Sequence, residues 1–439
     1  MSQDTLFQEV DELKSHFDNV VNRLLKEIDK QQKVISLADK RERIEHEYLQ
    51  KQIKETQELK YNLEELFNTF IKMLADAIDI KSPYTGSHCV KVPEISIELA
   101  KLVNKKGANI NLKEIEIASW LHDVGKIATP EYIIDKATKL ETIYNRIHEI
   151  RMRFEVLYRD VKIQALQRKL EGENPDEVDK WEKEEFQRLT KEWEFIANLN
   201  IGSEFVQDED IEKLQSIAQQ EWIRYFDDNL GLSWVELQRK PKSTTPAIEK
   251  LLANKSEHII PRDSKEKERL SKLNIKMDIP EYFLNMGEIY NLSIRKGTLT
   301  PEELYKIKEH IVVTILMLEK LPLPRYLSNV PKYAGTHHEQ LNGQGYPRKL
   351  DKNNIPLGGK IIAFADIFEA LTANDRPYKR AKKLSEAIKI IYYMVKDSHL
   401  DRELFRIFLE NGLHMKYAKK YLRADQIDEV DVEYYLSRI

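Results

Sequence analysis

One cysteine, 14 glycines and 15 prolines are few for a chain of 439 residues. A single thiol, Cys89, excludes an intramolecular disulfide and a thiolate-built zinc site, and it suits a reducing, cytoplasmic compartment. Sparse turn-formers exclude a sandwich or barrel of many short strands and favour long helices. Long hydrophobic runs are missing too: IVVTILML at 311–318 is far below the roughly 20 residues of a membrane helix. The opening MSQDTLFQEVDELK is acidic and broken by charges, unlike a signal peptide. Neither sign of charge dominates, with 70 Lys+Arg against 74 Asp+Glu, so there is no basic field to hold a DNA or RNA polymer. What is left is an all-α, cytoplasmic protein, 41% hydrophobic and able to bury a full core, with no direct membrane insertion.

Four segments follow one another. Residues 1–80 hold no proline or glycine and show two apolar seams, Leu6, Val10, Leu13, Phe17, Val20, Leu24 and Leu59, Leu63, Leu66, Phe70, Met73, Ala77, Ile80. Narrow seams among many charges predict a coiled-coil helix that pairs in parallel with a second copy, a homodimer. Residues 81–137 turn to shorter amphipathic helices, among them KEIEIASWLHDVG, which Gly125 is expected to stop. Residues 138–296 are dense in charge and carry Trp181, Trp193, Trp222 and Trp234, which imply a helical insert with its own core. Its second half, with Pro241, Pro246, Pro261 and Pro280, reads as an irregular connection with brief helical turns. From 297 to 439 regular helices return. Thr300, Pro301 and Glu303 form a helix start, and Leu304, Ile307, Ile311, Ile315 and Leu318 form its buried stripe.

Five of the 11 histidines stand where chemistry is expected: His88, His122, His310, His337 and His338. In LHDVGK, His122 and Asp123 end an apolar helix, where neither is stable without a partner, and a metal ion is the simplest partner for both. In HHEQLNGQGYP, two adjacent histidines precede a glycine-spaced loop. In IIAFADIFEALTA, Asp366 is a carboxylate inside an otherwise apolar helix and needs a charge or several donors.

Together with YTGSHCVKV, KEHIVVTILML, ADIFEALTANDRPYK and YAKKYL, in that order, these motifs resemble the HD-GYP family of cyclic-dinucleotide phosphodiesterases, a branch of the HD metal-dependent phosphohydrolases. The resemblance covers about 82–137 and 297–430 and implies an HD-type helical bundle interrupted by the insert. It implies that His88, His122, Asp123 and Asp366 hold one metal, with Asp123 bridging to a second held by His310, His337 and His338. Five imidazoles with two carboxylates suit iron, or manganese, better than magnesium. Cyclic di-GMP would be opened to pGpG, or on to GMP, by a hydroxide between two divalent ions. Lys126 would add charge at the scissile phosphate. Arg376 and Lys379 would grip the substrate's other phosphate, Tyr346 would pack the loop or contact a guanine, and Lys91 would join the substrate-binding set. Glu339 would support a histidine rather than bind metal.

The chain departs from the pattern in places. Tyr84 stands where members with three metals carry a glutamate, so two metals are expected. Lys91 replaces a frequent arginine, and Asn342 and Glu369 replace frequent aspartates. Pro93 must begin its helix or kink it. Two other classes stand beside the enzyme: a receptor that binds the nucleotide without turnover, which a lost ligand would favour though none is lost, and an HD phosphohydrolase for another cyclic dinucleotide or nucleotide.

Overall fold

The computed structural model describes residues 3–81, 88–202, 205–242, 244–373 and 382–439, and the chain divides into one unit over residues 1–70 and another over 71–439. In the first unit the backbone runs as part of a single helix, Gln3–Lys81, uninterrupted because no proline or glycine breaks it. Its seams lie on the surface: Leu13, Phe17, Val20, Leu24, Leu59, Leu63 and Leu66 are all exposed. The side chains of Leu6 and Val10 lie outside the described residues. In the second unit the last turns of this helix bury Ile71, Ala75 and Ile78. That stripe is not the seam, since Met73 and Ile80 stay exposed. Among the described residues the helix therefore carries exposed seam positions and, in its last turns, a separate buried stripe.

The main core of the second unit gathers His88–Lys105, Leu112–Leu121, Leu357–Thr372 and the helices after residue 383. Val92, Leu99 and Val103 recur at helical spacing and meet Ile115, Phe364, Phe368 and Phe408. Pro93 sits inside the His88–Lys105 helix rather than at its start. Asn111 caps Leu112–Leu121 by accepting the Lys113 N–H at 2.9 Å.

Between residues 138 and 296, Ile147–Leu170 and Pro175–Ile201 pack side by side over a separate cluster that includes Ile150, Phe154, Leu189, Ile196, Leu214 and Leu251. Trp181 and Trp193 pack against it, whereas Trp234 is 70% exposed, so only part of the tryptophan set serves a core. The stretch from 240 to 280 expected to be irregular contributes one strand to each of two small antiparallel sheets: Ala247–Lys250 pairs with Glu221–Arg224, and Ile259–Pro261 with Tyr282–Asn285. They are short and need long-range pairing, which no local pattern announces. The two ends of this segment are tied by buried lysines. Lys136 donates to both oxygens of Glu303 at 2.8 Å, and the fully buried Lys139 donates to the carbonyls of Leu292 at 3.0 Å and Ile294 at 2.8 Å. Burial holds the Lys139 ammonium down at a pKa of about 8.

Thr300 and Glu303 make the expected reciprocal cap. The helix that follows, however, is interrupted at Glu309 into Pro301–Lys308 and His310–Leu318. This shifts the buried stripe: Ile311, Ile315 and Leu318 are buried, but Leu304 is 44% exposed and Tyr305 takes the inward position.

Gly125 does not stop its helix, which ends at Leu121 and gives way to a 3-10 turn, Val124–Ala128. Its role is close approach. A Cβ there would lie 1.9 Å from the His310 carbonyl oxygen and 2.6 Å from the Thr314 nitrogen. The Gly125 N–H donates to Thr314 Oγ1 at 2.9 Å, and that hydroxyl donates to the His122 carbonyl at 3.1 Å. A Gly125→Ala variant should therefore lose about 3 kcal/mol or more of stability through backbone overpacking. Urea unfolding reads this, and a midpoint equal to the parent's would reject the close-approach role.

Candidate metal centre

Each candidate ligand sits at an end or a turn of its element, apart from Asp366. His88 begins His88–Lys105, His122 follows Leu112–Leu121, and Asp123 precedes the 3-10 turn. His310 begins His310–Leu318, and His337 and His338 follow Val330–Ala334. Asp366 lies within Leu357–Thr372, and Glu369, one turn later, shares its face.

The structure brings seven predicted ligands into two groups, each with ligand atoms within 4.8 Å of one another: His88, His122 and Asp366, and Asp123, His310, His337 and His338. Asp123 lies between them. Its Oδ2 is 3.3 Å from His122 Nε2 and 3.5 Å from His88 Nε2, and its Oδ1 is 3.3 Å from His310 Nε2 and 3.9 Å from His337 Nε2. Asp366 Oδ1 is 3.3 Å from His88 Nε2.

The imidazoles are oriented by their outer nitrogens. Nδ1 of His122, His310 and His337 lies 2.6 to 2.7 Å from the carbonyls of Ser119, Ile307 and Ala334. A carbonyl only accepts, so each Nδ1 carries the proton and each Nε2 presents a lone pair to the centre. His88 Nδ1 lies 2.6 Å from Glu369 Oε2 and faces inward with Nε2 in the same way. These inner nitrogens crowd together: His338 and His310 approach at 3.1 Å, His88 and His122 at 3.3 Å. Asp123 Oδ1 and His337 Nε2 are buried without a hydrogen-bond partner. Convergent acceptors and orphaned buried polar atoms fit a bound cation, and the imidazole and carboxylate donors are those of divalent transition metals.

The electrostatics agree. Burial lowers the His122 imidazole, holds His337 down at about 3, and lowers His338 far below the usual range, leaving all three neutral. Burial also opposes ionisation of Asp123, but the Lys126 ammonium above all outweighs it and keeps its carboxyl well below the usual range. Burial disfavours a charged His88, yet Asp123, Glu369 and Asp366 hold its pKa up at about 10. A proton there occupies the place a metal ion would take.

The remaining predicted residues divide. Lys126 Nζ lies 2.5 Å from Asp123 Oδ2, with its side chain 30% exposed. Tyr346 stacks on His338 with ring centroids 4.7 Å apart, and burial raises its phenol. Glu339 does not reach a histidine in its hydrogen bonds: its two oxygens accept the N–H groups of Arg348 at 2.7 Å and Leu350 at 2.8 Å, closing the loop. Lys91 is buried and paired with Glu369 at 3.4 Å, so it is an internal partner of a carboxylate rather than an open cation for substrate. Arg376, Lys379 and Tyr84 lie outside the described residues. Two contributors were missed from the sequence. Thr314, the one polar residue of IVVTILML, carries the contact to His122 and Gly125, and Glu369 is legible from its three-residue spacing to Asp366.

Residues 246–404 match the HD domain family. The match begins inside the segment read as an insert and includes His310, His337, His338 and Asp366, while His88 and Asp123 lie before it. The chain is 41% identical over 98 residues to a cyclic di-GMP phosphodiesterase of Thermotoga maritima, covering 22% of this chain and 26% of that protein. It is 43% identical over 85 residues to 3'3'-cGAMP-specific phosphodiesterase 1 of Vibrio cholerae, 19% of this chain and 20% of the relative. A probable cyclic di-GMP phosphodiesterase of Vibrio cholerae is 36% identical over 137 residues, 30% of this chain and 31% of the relative. The chain thus spans less than a third of the length of these curated relatives. An HD domain implies divalent-metal binding, and the two His/Asp groups are a candidate site for it.

Glu369→Ala should free the His88 ring and weaken metal binding by about 10- to 100-fold, the usual effect of losing a residue that orients a ligand. Competition against a graded series of chelators measures this. Affinity equal to the parent's would show that Glu369 does not orient His88 for a metal.

Proposed function

We propose that the chain is an HD-GYP-type, metal-dependent phosphodiesterase that opens cyclic di-GMP to linear pGpG, the substrate for any second cut to GMP. The observation that supports this reading best is Asp123, with one carboxylate oxygen facing each imidazole group. We assign two divalent ions, iron with manganese as the alternative. His88, His122, Asp366 and Asp123 would hold one, and His310, His337, His338 and Asp123 the other. When bound, such a pair supplies the positive charge that activates water and neutralises phosphoryl oxygens in line with it.

The chain's own residues prepare the rest. The bonds from Nδ1 to the backbone fix three imidazoles in the tautomer that binds metal, so no rearrangement is needed on loading. Burial of the cage lowers the local dielectric and strengthens each charge in it. Lys126, raised by Asp123 against the opposing effect of burial, keeps its ammonium at the rim, where it adds positive charge for a phosphate. We assign Arg376 and Lys379 to the substrate's other phosphate, and the HD-GYP domain to residues 81–137 and 297–439, because the ligands come from both stretches. A related substrate is favoured by one observation, the similarity to 3'3'-cGAMP-specific enzymes. Product analysis with both dinucleotides separates the two.

We further propose that residues 1–80 form a parallel homodimer, on the strength of the exposed seams at Leu13 to Leu24 and Leu59 to Leu66. Among the described residues no helix is long and apolar enough to cross a membrane. We assign the protein to the cytoplasm, as the lone thiol suggests.

Two outcomes test these assignments. Anaerobically purified parent protein should carry two metal ions per chain, and Asp123→Ala should lose both along with cyclic di-GMP hydrolysis. Full metal and full turnover in that variant would reject the bridging role. For the dimer, light scattering should give twice the 51.8 kDa of one chain, and a mass of one chain at working concentrations would reject it.

A further inference from the structure

The segment leading into Tyr282–Asn285 lies against the loop that carries Tyr346. The Lys276 N–H donates to the Pro347 carbonyl at 2.8 Å, and Arg348 Nε donates to the Leu273 carbonyl at 3.4 Å. Met277 and Ile279 join Tyr346 around a small cluster formed by Leu270, Tyr305, Ile311 and Val312. Between this segment and the loop runs a groove of about 380 Å³, large enough for a flat ligand group. Its inner wall is Tyr346, whose ring stacks on His338. The groove therefore begins one aromatic ring away from a metal-site histidine, a separation that suits a nucleotide's base when its phosphate is at the metals.

We propose that this groove is a guanine subsite, with residues 277–280 of the insert as its outer wall. The proposal rests on the cyclic di-GMP reading above. Met277, Ile279, Pro280, Tyr305 and Tyr346 offer the apolar and aromatic surfaces on which a base stacks. Lys308, Lys349, Gln344 and Asp278 supply the polar rim. Lys308 Nζ stands 5.4 Å from the Tyr346 ring centroid, and Lys349 Nζ stands 3.5 Å from Asp278 Oδ2. Guanine matches this rim. Its N1–H and exocyclic amine are donors for the Asp278 carboxylate, and its O6 and N7 are acceptors for a lysine. Adenine presents an acceptor at N1 and a donor at C6, so the same carboxylate disfavours it. A second phosphate fits worse, because Asp278 would repel it. Lys349 also has φ 53°, in the left-handed region that a lysine enters only where its surroundings hold it.

The test uses the full-length, metal-loaded enzyme with Asp278→Ala, Lys349→Ala and the groove-filling Ile279→Trp. The Asp278 side chain is 99% exposed, so its removal leaves the fold intact. Each variant should keep the parent's metal content and raise KM for cyclic di-GMP with kcat within about twofold, by about tenfold in Asp278→Ala and Lys349→Ala, the worth of one lost polar contact, and at least as much where the Trp ring blocks the groove. Asp278→Ala should also narrow the preference for cyclic di-GMP over cyclic di-AMP. Unchanged KM and unchanged preference in Asp278→Ala and Lys349→Ala overturn the subsite while leaving the substrate reading intact. A parent enzyme that neither binds nor hydrolyses cyclic di-GMP overturns that reading, and the subsite with it.

Discussion

A carboxylate buried among imidazoles is the constraint on which this structure turns. Asp123 is 3% exposed and cannot hold its charge there without positive charge on both sides. Lys126 provides one such charge at 2.5 Å. The inner nitrogens of four histidines, which approach one another at 3.1 to 3.3 Å, favour another, a proton or a metal ion lying among them. The same arrangement that would be a liability in an apo core becomes a strong cation site.

Holding Asp123 there is a matter of backbone contact as much as of side chains. The turn carrying His122 and Asp123 is pressed onto the start of His310–Leu318 so closely that only a glycine fits at 125. Thr314 then joins the two elements with a pair of hydrogen bonds, and because that helix starts at His310, the same contact sets the distance between the two ligand groups. His88 is held from the other side by Glu369, whose carboxyl burial pushes up but His88 and Lys91 pull below its usual range. A charged chain of Lys91, Glu369 and His88 thus links the interior of Leu357–Thr372 to the metal site.

The segment at 138–296 is tied to this frame at its base and again at the loop. Lys136 bonds the carboxylate that caps Pro301–Lys308, the element just before His310, and Lys276 bonds the loop that stacks on His338. The first tie ends on the helix just before His310, and the second on the loop that follows His338. A segment anchored in this way shares its packing with the loop that carries Tyr346, as the proposed groove wall requires.

The sequence by itself determined the helical class, the uninterrupted first helix, the Thr300 and Glu303 cap, and the seven residues that the structure gathers. Each of these depends on local rules: proline and glycine scarcity, spacing of apolar residues, and the identity of metal-binding side chains in ordered motifs. Tertiary structure alone decided the rest. Lys91 and Glu339 bear charges that suit several partners, and only the fold directs one to Glu369 and the other to the loop amides. Leu304 fits a helical stripe by spacing, but the interruption at Glu309 rotates it outward. Gly125 looks like a helix stop until the backbone of His310 is found against it. The short strands likewise depend on distant partners in register, such as Trp222 and Glu249, which lie 27 positions apart along the chain. Local preference sets what a segment can form, while long-range contact selects which polar group meets which, because a buried charge takes the partner that the packing brings within reach.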